Sequence, residues 1–374
     1  MPPTMERDVH SNKRTDDAPD PVVAIPVRNE EQLIPACLDA LGQQPGADAL
    51  AVVLLVNNTT DRTVAAARSA AARLPLRLVV EEHHFSPHEQ TAGHARRMAM
   101  QVAARLSGPG GVLLCTDADG CVAPDWLARN LAHIRAGADA VAGRAVIDPA
   151  DAAVIPTALH AADARECAYG AVLDEIESLL DPDPCDPWPR HTEHSGASIC
   201  VTWDAWRRAG GVPGVSLGED RAFFAALRRI DAVVRHAPDV QVMVSGRVFG
   251  RARGGMADTI RRRMTAPDPY LDDALEPVLD RIRRLRLRTR LRQARCDTAL
   301  LPFLAADLNW PVARVATLAS ISTFGGAWDA LIAECPVLHM RPIATGDLDR
   351  EMAMALRLRD GLIGPAASEQ DAAD

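Results

Sequence analysis

The chain is 374 residues long, 48% hydrophobic and 24% charged, with a formal net charge of -9. Its apolar content suffices for one large core or two smaller ones, and its acidity weighs against nucleic acid as a partner, because phosphate binding needs a concentrated excess of Lys and Arg. Lys13 is the lysine among 41 basic residues, and the eight cysteines are scattered without a CxxC pair, which excludes the disulfide framework of small secreted domains and leads us to expect reduced thiols in the cytoplasm.

Residues 1–20 are charged, proline-bearing and without periodicity, so they read as a disordered lead-in, as does the tail 365–374. No segment has the apolar core of a signal peptide, and no run approaches the roughly 20 apolar residues of a membrane span. From Pro21, short β-branched runs alternate with alanine-rich stretches: PVVAIPV, EEQLIPACLDALGQQ, ALAVVLLVNN, TDRTVAAARSAAARL, RLVVEE, the stretch 91–106, GVLLCTD, APDWLARNLAHIRAG and ADAVAGRAVI. Such alternation implies parallel strands with crossover helices on both faces, an α/β domain. Open α/β sheets bind ligands at the carboxyl ends of their strands, where Asn29, Asn57 and Asp117 fall.

After residue 147 the rhythm changes. A helical stretch over 156–180 leads into DPDPCDPWPR, too proline-rich for regular structure, and a second α/β portion follows through GASICVTWDAWRRAGGV, LGEDRAFFAALRR and IDAVVRHAPDVQVMV. Beyond residue 250 the pattern is helical. The expected organisation is an α/β domain over 21–250 and a helical region over 251–364.

Several motifs carry candidate chemistry. Asp117 and Asp119, at i and i+2 off a strand end, can present oxygens to one hard divalent cation, or can form an Asx-type turn. Asp125 follows Pro124 and reads as a first-turn acid of a helix. Glu219 and Asp220 open RAFFAALRR, where acids are favoured, and follow the glycine-bounded GGVPGVSLG. TAGHARRMAM offers Arg96 and Arg97 at a helix start where a diphosphate could be met, although a solvated helix face fits Arg97 equally. In RHTEHSGAS, His191 and His194 have an H-x-x-H spacing that invites zinc, but no matching cysteine or histidine pair accompanies them; an acceptor contact by His194 and a surface loop both remain open. SGRVFGRARGG carries Arg247, Arg251 and Arg253 between glycines, as either a lid over phosphates or a linker. DRIRRLRLRTRLRQAR is the most basic stretch; Val278, Ile282 and Leu285 recur at helical spacing, so we expect a helix with one packed face and a solvated arginine face rather than a nucleic-acid or membrane contact.

Together these pieces resemble the inverting family 2 nucleotide-sugar glycosyltransferases of the GT-A type. VVAIPVRNEE is similar to that family's opening strand, VNNTTDRT to its second-strand turn, TDADGCVAPDWL to its DxD segment and GASICVTWDAWRRAGGVPGVSLGEDRAF to its acceptor segment. The resemblance covers about Val22 to Phe224. It implies a mixed GT-A sheet flanked by helices and a metal-dependent transfer of one sugar from a nucleoside-diphosphate sugar (UDP or GDP) to a small-molecule or glycan acceptor, with a homodimer compatible. By it, Asp119 would ligate Mn2+ or Mg2+, with Asp117 on the ribose or the metal and a third ligand from the 245–255 neighbourhood or His236. Pro26, Arg28, Glu30, Asn57, Arg96 and Ala118 would border the donor. His194, Ser195, Gly196 and Glu219 would border the acceptor, and Asp220 would be the general base. Asn57 stands where the family usually has an aspartate, and the Gln-x-x-Arg-Trp motif of processive members is absent, so a single transfer follows. A nucleotidyltransferase would want a glycine-rich, lysine-bearing phosphate loop that IPVRNEEQ lacks; an inactive sugar- or nucleotide-binding module is the other alternative.

Overall fold

The computed structural model describes residues 21–250 and 254–364. The lead-in, the tail and the lid arginines Arg251 and Arg253 lie outside the described residues. Element order follows the expected alternation: β1 (Val22–Val27), α1 (Ile34–Gly42), β2 (Ala51–Asn57), α2 (Thr63–Ala71), β3 (Arg77–His83), α3 (Ala92–Ser107), β4 (Val112–Cys115), β5 (Gly120–Val122), α4 (Trp126–Arg135) and β6 (Ala140–Ile147). Then come α5 (Pro149–Ala152), α6 (Thr157–Leu180), β7 (Ile199–Thr202), α7 (Trp203–Arg208), α8 (Glu219–Arg229) and β8 (Val234–Val244). Helices α9 (Met256–Thr265), α10 (Val278–Cys296), α11 (Leu301–Leu308), α12 (Val312–Ala319), α13 (Phe324–Glu334) and α14 (Leu348–Ile363) complete the described chain.

The strands form one eight-stranded sheet in the order β3-β2-β1-β4-β7-β6-β8-β5. Its first four strands are parallel, with Val22 opposite Ala51 and Leu113. Every residue of β2 is buried, as a central strand covered on both faces requires. The other half is mixed, because β7 runs antiparallel to both β4 and β6, and β5 antiparallel to β8. The parallel doubly wound pattern therefore holds for β1 to β4, and the whole is a mixed α/β sheet.

By contact the chain divides into two compact units. One holds the sheet and comprises residues up to 146, 193–224 and 232–244. Its core is built from β-branched and leucine side chains such as Val23, Ile25, Leu54, Leu114, Val141 and Val240, with Trp126 fully buried and its indole N–H donating to Ser198 Oγ at 2.8 Å.

The other unit comprises 147–192, 225–231 and the residues from 245 onward. The division thus does not fall at a single point near residue 250: α6 belongs with the C-terminal helices, because Tyr169, Leu173 and Ile176 share a core with Val278, Ile282, Leu285, Leu348 and Ala355. Val278, Ile282 and Leu285 form the packed face of α10 that their spacing predicts. Arg283, Arg286 and Arg290 are exposed, as that reading expects, but three other arginines of α10 are not simply solvated. Arg281 is buried and pairs with Glu177 and Glu276, Arg288 with Glu177 and Asp181, and Arg292 with Asp181. Burial penalises the charge on Glu177, yet Arg281, Arg288 and Arg190 hold its carboxyl well below the usual carboxylate range. These arginines are turned to carboxylates of α6, of the loop after it and, at Glu276, of the segment before α10, which a pattern count on α10 alone cannot reveal.

Candidate active site

The carboxyl ends of β1 and β2 turn through two interlocked loops. Asn29 and Asn58 both adopt left-handed backbone, at φ 53° and 45°, a conformation asparagine tolerates better than most residues. Asn29 Oδ1 accepts from the Thr60 N–H at 2.8 Å, and Asn58 exchanges two hydrogen bonds with the Phe85 backbone, each 3.0 Å. The Glu30 N–H donates to Thr63 Oγ1 at 2.8 Å, and the Arg62 N–H to Glu31 Oε2 at 2.9 Å. Asp61 accepts from the Glu31 and Thr63 backbones and from the Thr63 hydroxyl; against the cost of burial, these bonds lower its pKa. Asp61 and Thr63 were not singled out from the sequence, although TTDRT is a turn-and-cap signature that could have marked them.

Of the expected donor residues, Glu30 is buried, while Pro26, on β1, and Arg28 are half-buried. Asn57 is buried with its amide Nδ2 donating to the Val27 carbonyl at 3.2 Å. In this structure that amide nitrogen ties β2 to β1.

The strand-end acids occupy the turn between β4 and β5. Asp117 and Asp119 are half-buried and Ala118 between them is buried. The Gly120 N–H closes the turn on the Asp117 carbonyl at 3.0 Å, and the buried Cys37 thiol donates to the same carbonyl at 3.5 Å. Burial, then the nearby Cys121, Asp119 and Asp117, push the Cys37 thiol up, so it stays protonated as a donor.

Arg96 lies within the same unit, one turn into α3, which Thr91 caps by accepting from the His94 N–H at 3.1 Å. Arg96 is 5% exposed, and its guanidinium reaches four partners: Nε donates to Glu219 Oε1 at 2.9 Å, Nη1 to the Gly196 carbonyl at 2.7 Å and to Cys115 Sγ at 3.2 Å, and Nη2 to Asp117 Oδ1 at 2.9 Å. Burial pushes the Cys115 thiol up to about 11, against the pull of Arg96, so at neutral pH it is an uncharged acceptor. Asp220 Oδ2 accepts from the Gly196 N–H at 3.0 Å and its Oδ1 from the Arg221 N–H at 2.7 Å. Asp117, Arg96, Gly196, Glu219 and Asp220 therefore form one connected polar network. A small residue is needed at Gly93, where a Cβ would overlap the Val215 carbonyl of the loop leading to Glu219.

Beside the Gly196 turn, the His194 ring stacks on Phe224 at 4.6 Å, and its Nε2 faces His236 Nε2 at 3.0 Å, so one imidazole donates and the other accepts. Ser195 Oγ accepts from the Ala197 N–H at 3.2 Å. The His194 and His236 pairing had no local signal, because 42 residues separate the partners. His191 is buried in the helical unit. Also there, Ser245 and the Gly246 N–H bind Asp151 at 2.7 and 2.8 Å, and the Arg247 N–H donates to Ser245 Oγ, anchoring the first part of the expected lid segment.

Among the described residues no group of three or more His, Cys, Asp and Glu is gathered so as to enclose a metal ion. The two carboxylates of the β4–β5 turn are hard oxygen donors, and Asp117 is partly engaged by Arg96. Such a set fits a cation that shares its shell with diphosphate oxygens and water, not one caged by protein. No helix among the described residues is long and apolar enough to cross a membrane.

Residues 22–175 match the model of the family described as glycosyl transferase family 2. No curated protein matches the chain. Among solved structures, the mannosyltransferase PcManGT from Pyrobaculum calidifontis, in complex with GDP-Man and Mn2+, is 22% identical, with 91% of this chain and 88% of that chain covered at a TM-score of 0.43. S. aureus TarS 1-349 in complex with UDP is 15% identical, with 91% and 90% covered at a TM-score of 0.46. The glucosyl-3-phosphoglycerate synthase of Mycobacterium tuberculosis, in complex with Mn2+, UDP and phosphoglyceric acid, is 14% identical, with 67% and 78% covered at a TM-score of 0.37. The turns at the ends of β1 and β2 and the acidic turn after β4 all fall within residues 22–175, the stretch that matches the glycosyl transferase family 2 model.

Proposed function

We propose that the chain transfers a single sugar from UDP- or GDP-sugar to a small hydroxylated acceptor, with inversion at the anomeric carbon and dependence on Mn2+ or Mg2+. The observation that carries this reading is the network joining the acidic turn at Asp117 to the Glu219 and Asp220 pair within one compact unit. A donor site and a proton acceptor must lie within reach of each other for direct displacement, and this network ties both to one scaffold.

In this reading Asp119, with Asp117 beside it, holds the cation. A divalent ion there would neutralise the charge developing on the leaving diphosphate. The Asn29 and Asn58 turns, with Glu30, border the nucleoside. Asp220 takes the acceptor proton, and its two backbone hydrogen bonds fix the carboxylate while leaving lone pairs for the hydroxyl. His194, Ser195 and Gly196 border the acceptor. The cysteines are scattered without a CxxC pair, which suits a reducing cytoplasm.

Calorimetric titration of the metal-stripped protein with UDP and GDP, each with Mn2+, with Mg2+ and with chelator, tests the donor side. Binding of one nucleotide that disappears with chelator is the expected result; metal-independent binding, or none, refutes the cation role of the acidic turn. Proton NMR of the first-formed product then reads the anomeric configuration.

A further inference from the structure

We infer that Arg96 is a positioning residue that holds the cation-side turn and the base-side segment in one register, and is not a ligand of the donor diphosphate; the inference rests on the glycosyl-transfer reading above. A bidentate grip on a phosphate requires two adjacent N–H groups of the guanidinium fork. Arg96 has five N–H groups, of which Glu219, Gly196, Cys115 and Asp117 take four. One remains, too few for that grip.

The surroundings are shaped to this use. Gly196 lies flat on the guanidinium, since a Cβ there would overlap Arg96 Cζ and Nη2. The same residue offers its carbonyl to Arg96 and its N–H to Asp220. A displacement of Arg96 thus reaches Asp117 directly and Asp220 through a single residue. Lysine, a point charge on a flexible stem, cannot span four partners in a plane. Two carboxylates, Asp117 and Glu219, face one cation, so loosening either shifts the hold on the other.

The test separates a positioning role from donor ligation by perturbing the base side and reading the donor side. Gly196→Ala displaces the guanidinium and leaves every charge in place; Glu219→Gln weakens one contact and is the milder change should the others fold poorly. Each should lower kcat about ten- to a hundredfold and weaken binding of the preferred nucleotide with Mn2+ about fivefold, because small misplacements of reacting groups are costly. Arg96→Lys should do the same, and the Arg96→Lys, Glu219→Gln double variant should be no worse than Arg96→Lys alone, as expected for residues acting as a unit. If Arg96→Lys weakens nucleotide binding about tenfold or more while the other two leave it unchanged, Arg96 is a donor ligand and the inference is overturned. Folded variants with wild-type kcat overturn it as well. A wild-type chain that transfers no sugar refutes the glycosyl-transfer reading, and this inference with it; an active wild type with unaffected variants refutes the positioning role alone.

Discussion

Replacing Asp220 by asparagine separates chemistry from binding. Asp220 uses one oxygen on the Gly196 N–H and the other on the Arg221 N–H. Asparagine has one carbonyl oxygen, so it can keep one of these bonds while its NH2 group faces the other donor. The loss of one backbone hydrogen bond at a half-buried site costs about 1 kcal/mol of stability, which leaves the domain folded. The loss of a general base costs about 10²- to 10⁴-fold in rate, or roughly 3–5 kcal/mol of transition-state stabilisation. Asp220→Asn should therefore bind nucleotide with Mn2+ as wild type does and lose kcat in that range. Steady-state kinetics and calorimetry on the same preparation measure both. A kcat within about threefold of wild type, with donor bound, refutes the base assignment.

Two further outcomes concern stability. Burial raises the Asp174 pKa from 3.8 to about 6, against the pull of its Thr192 hydrogen bond and of Arg281. Between those values the native carboxyl keeps a proton that the unfolded chain has lost, so stability falls as pH rises from about 4 to about 6, by about 3 kcal/mol. Asp174→Asn removes this slope: it should raise the urea midpoint at pH 8 and leave it unchanged near pH 3.5, and equal midpoints at pH 8 would contradict the raised pKa. Separately, Asp231 accepts from the Phe324 and Gly325 N–H groups that open α13, both at 2.7 Å, and sits at φ 53°. Asp231→Ala removes this cap and puts a left-handed backbone on alanine, so about 2 kcal/mol should be lost in chemical denaturation; no loss would show that the cap is dispensable.

Much of the fold was legible because its signals are local. Alternation of apolar strands with amphipathic helices marks β1 to β4 and β6 whatever their partners, while the short β5 was not read as a strand; Asp117, Asp119, Glu219 and Asp220 stand at the element ends where the pattern puts them. What escaped depends on partners distant in the chain. Nothing in ASICVT says that β7 inserts antiparallel between β4 and β6. Arg96 could be placed at a helix start, but its four partners, between 19 and 123 residues away, could not be read from spacing. The grouping of α6 with the C-terminal helices rests on contacts made more than a hundred residues later, such as the Tyr169 hydroxyl donating to the Glu276 carbonyl at 2.9 Å.

The insertion of β7 also bears on how the chain is made. Strand β4 finds its outer neighbour only when residues 199–202 emerge, more than eighty residues after Cys115. Until then a nascent chain can complete the parallel half while the apolar VLLC presents an unpaired edge, the arrangement that invites strand addition from other molecules. Fragments ending between β4 and β7 should accordingly self-associate, and those extended past residue 202 should gain solubility in a step.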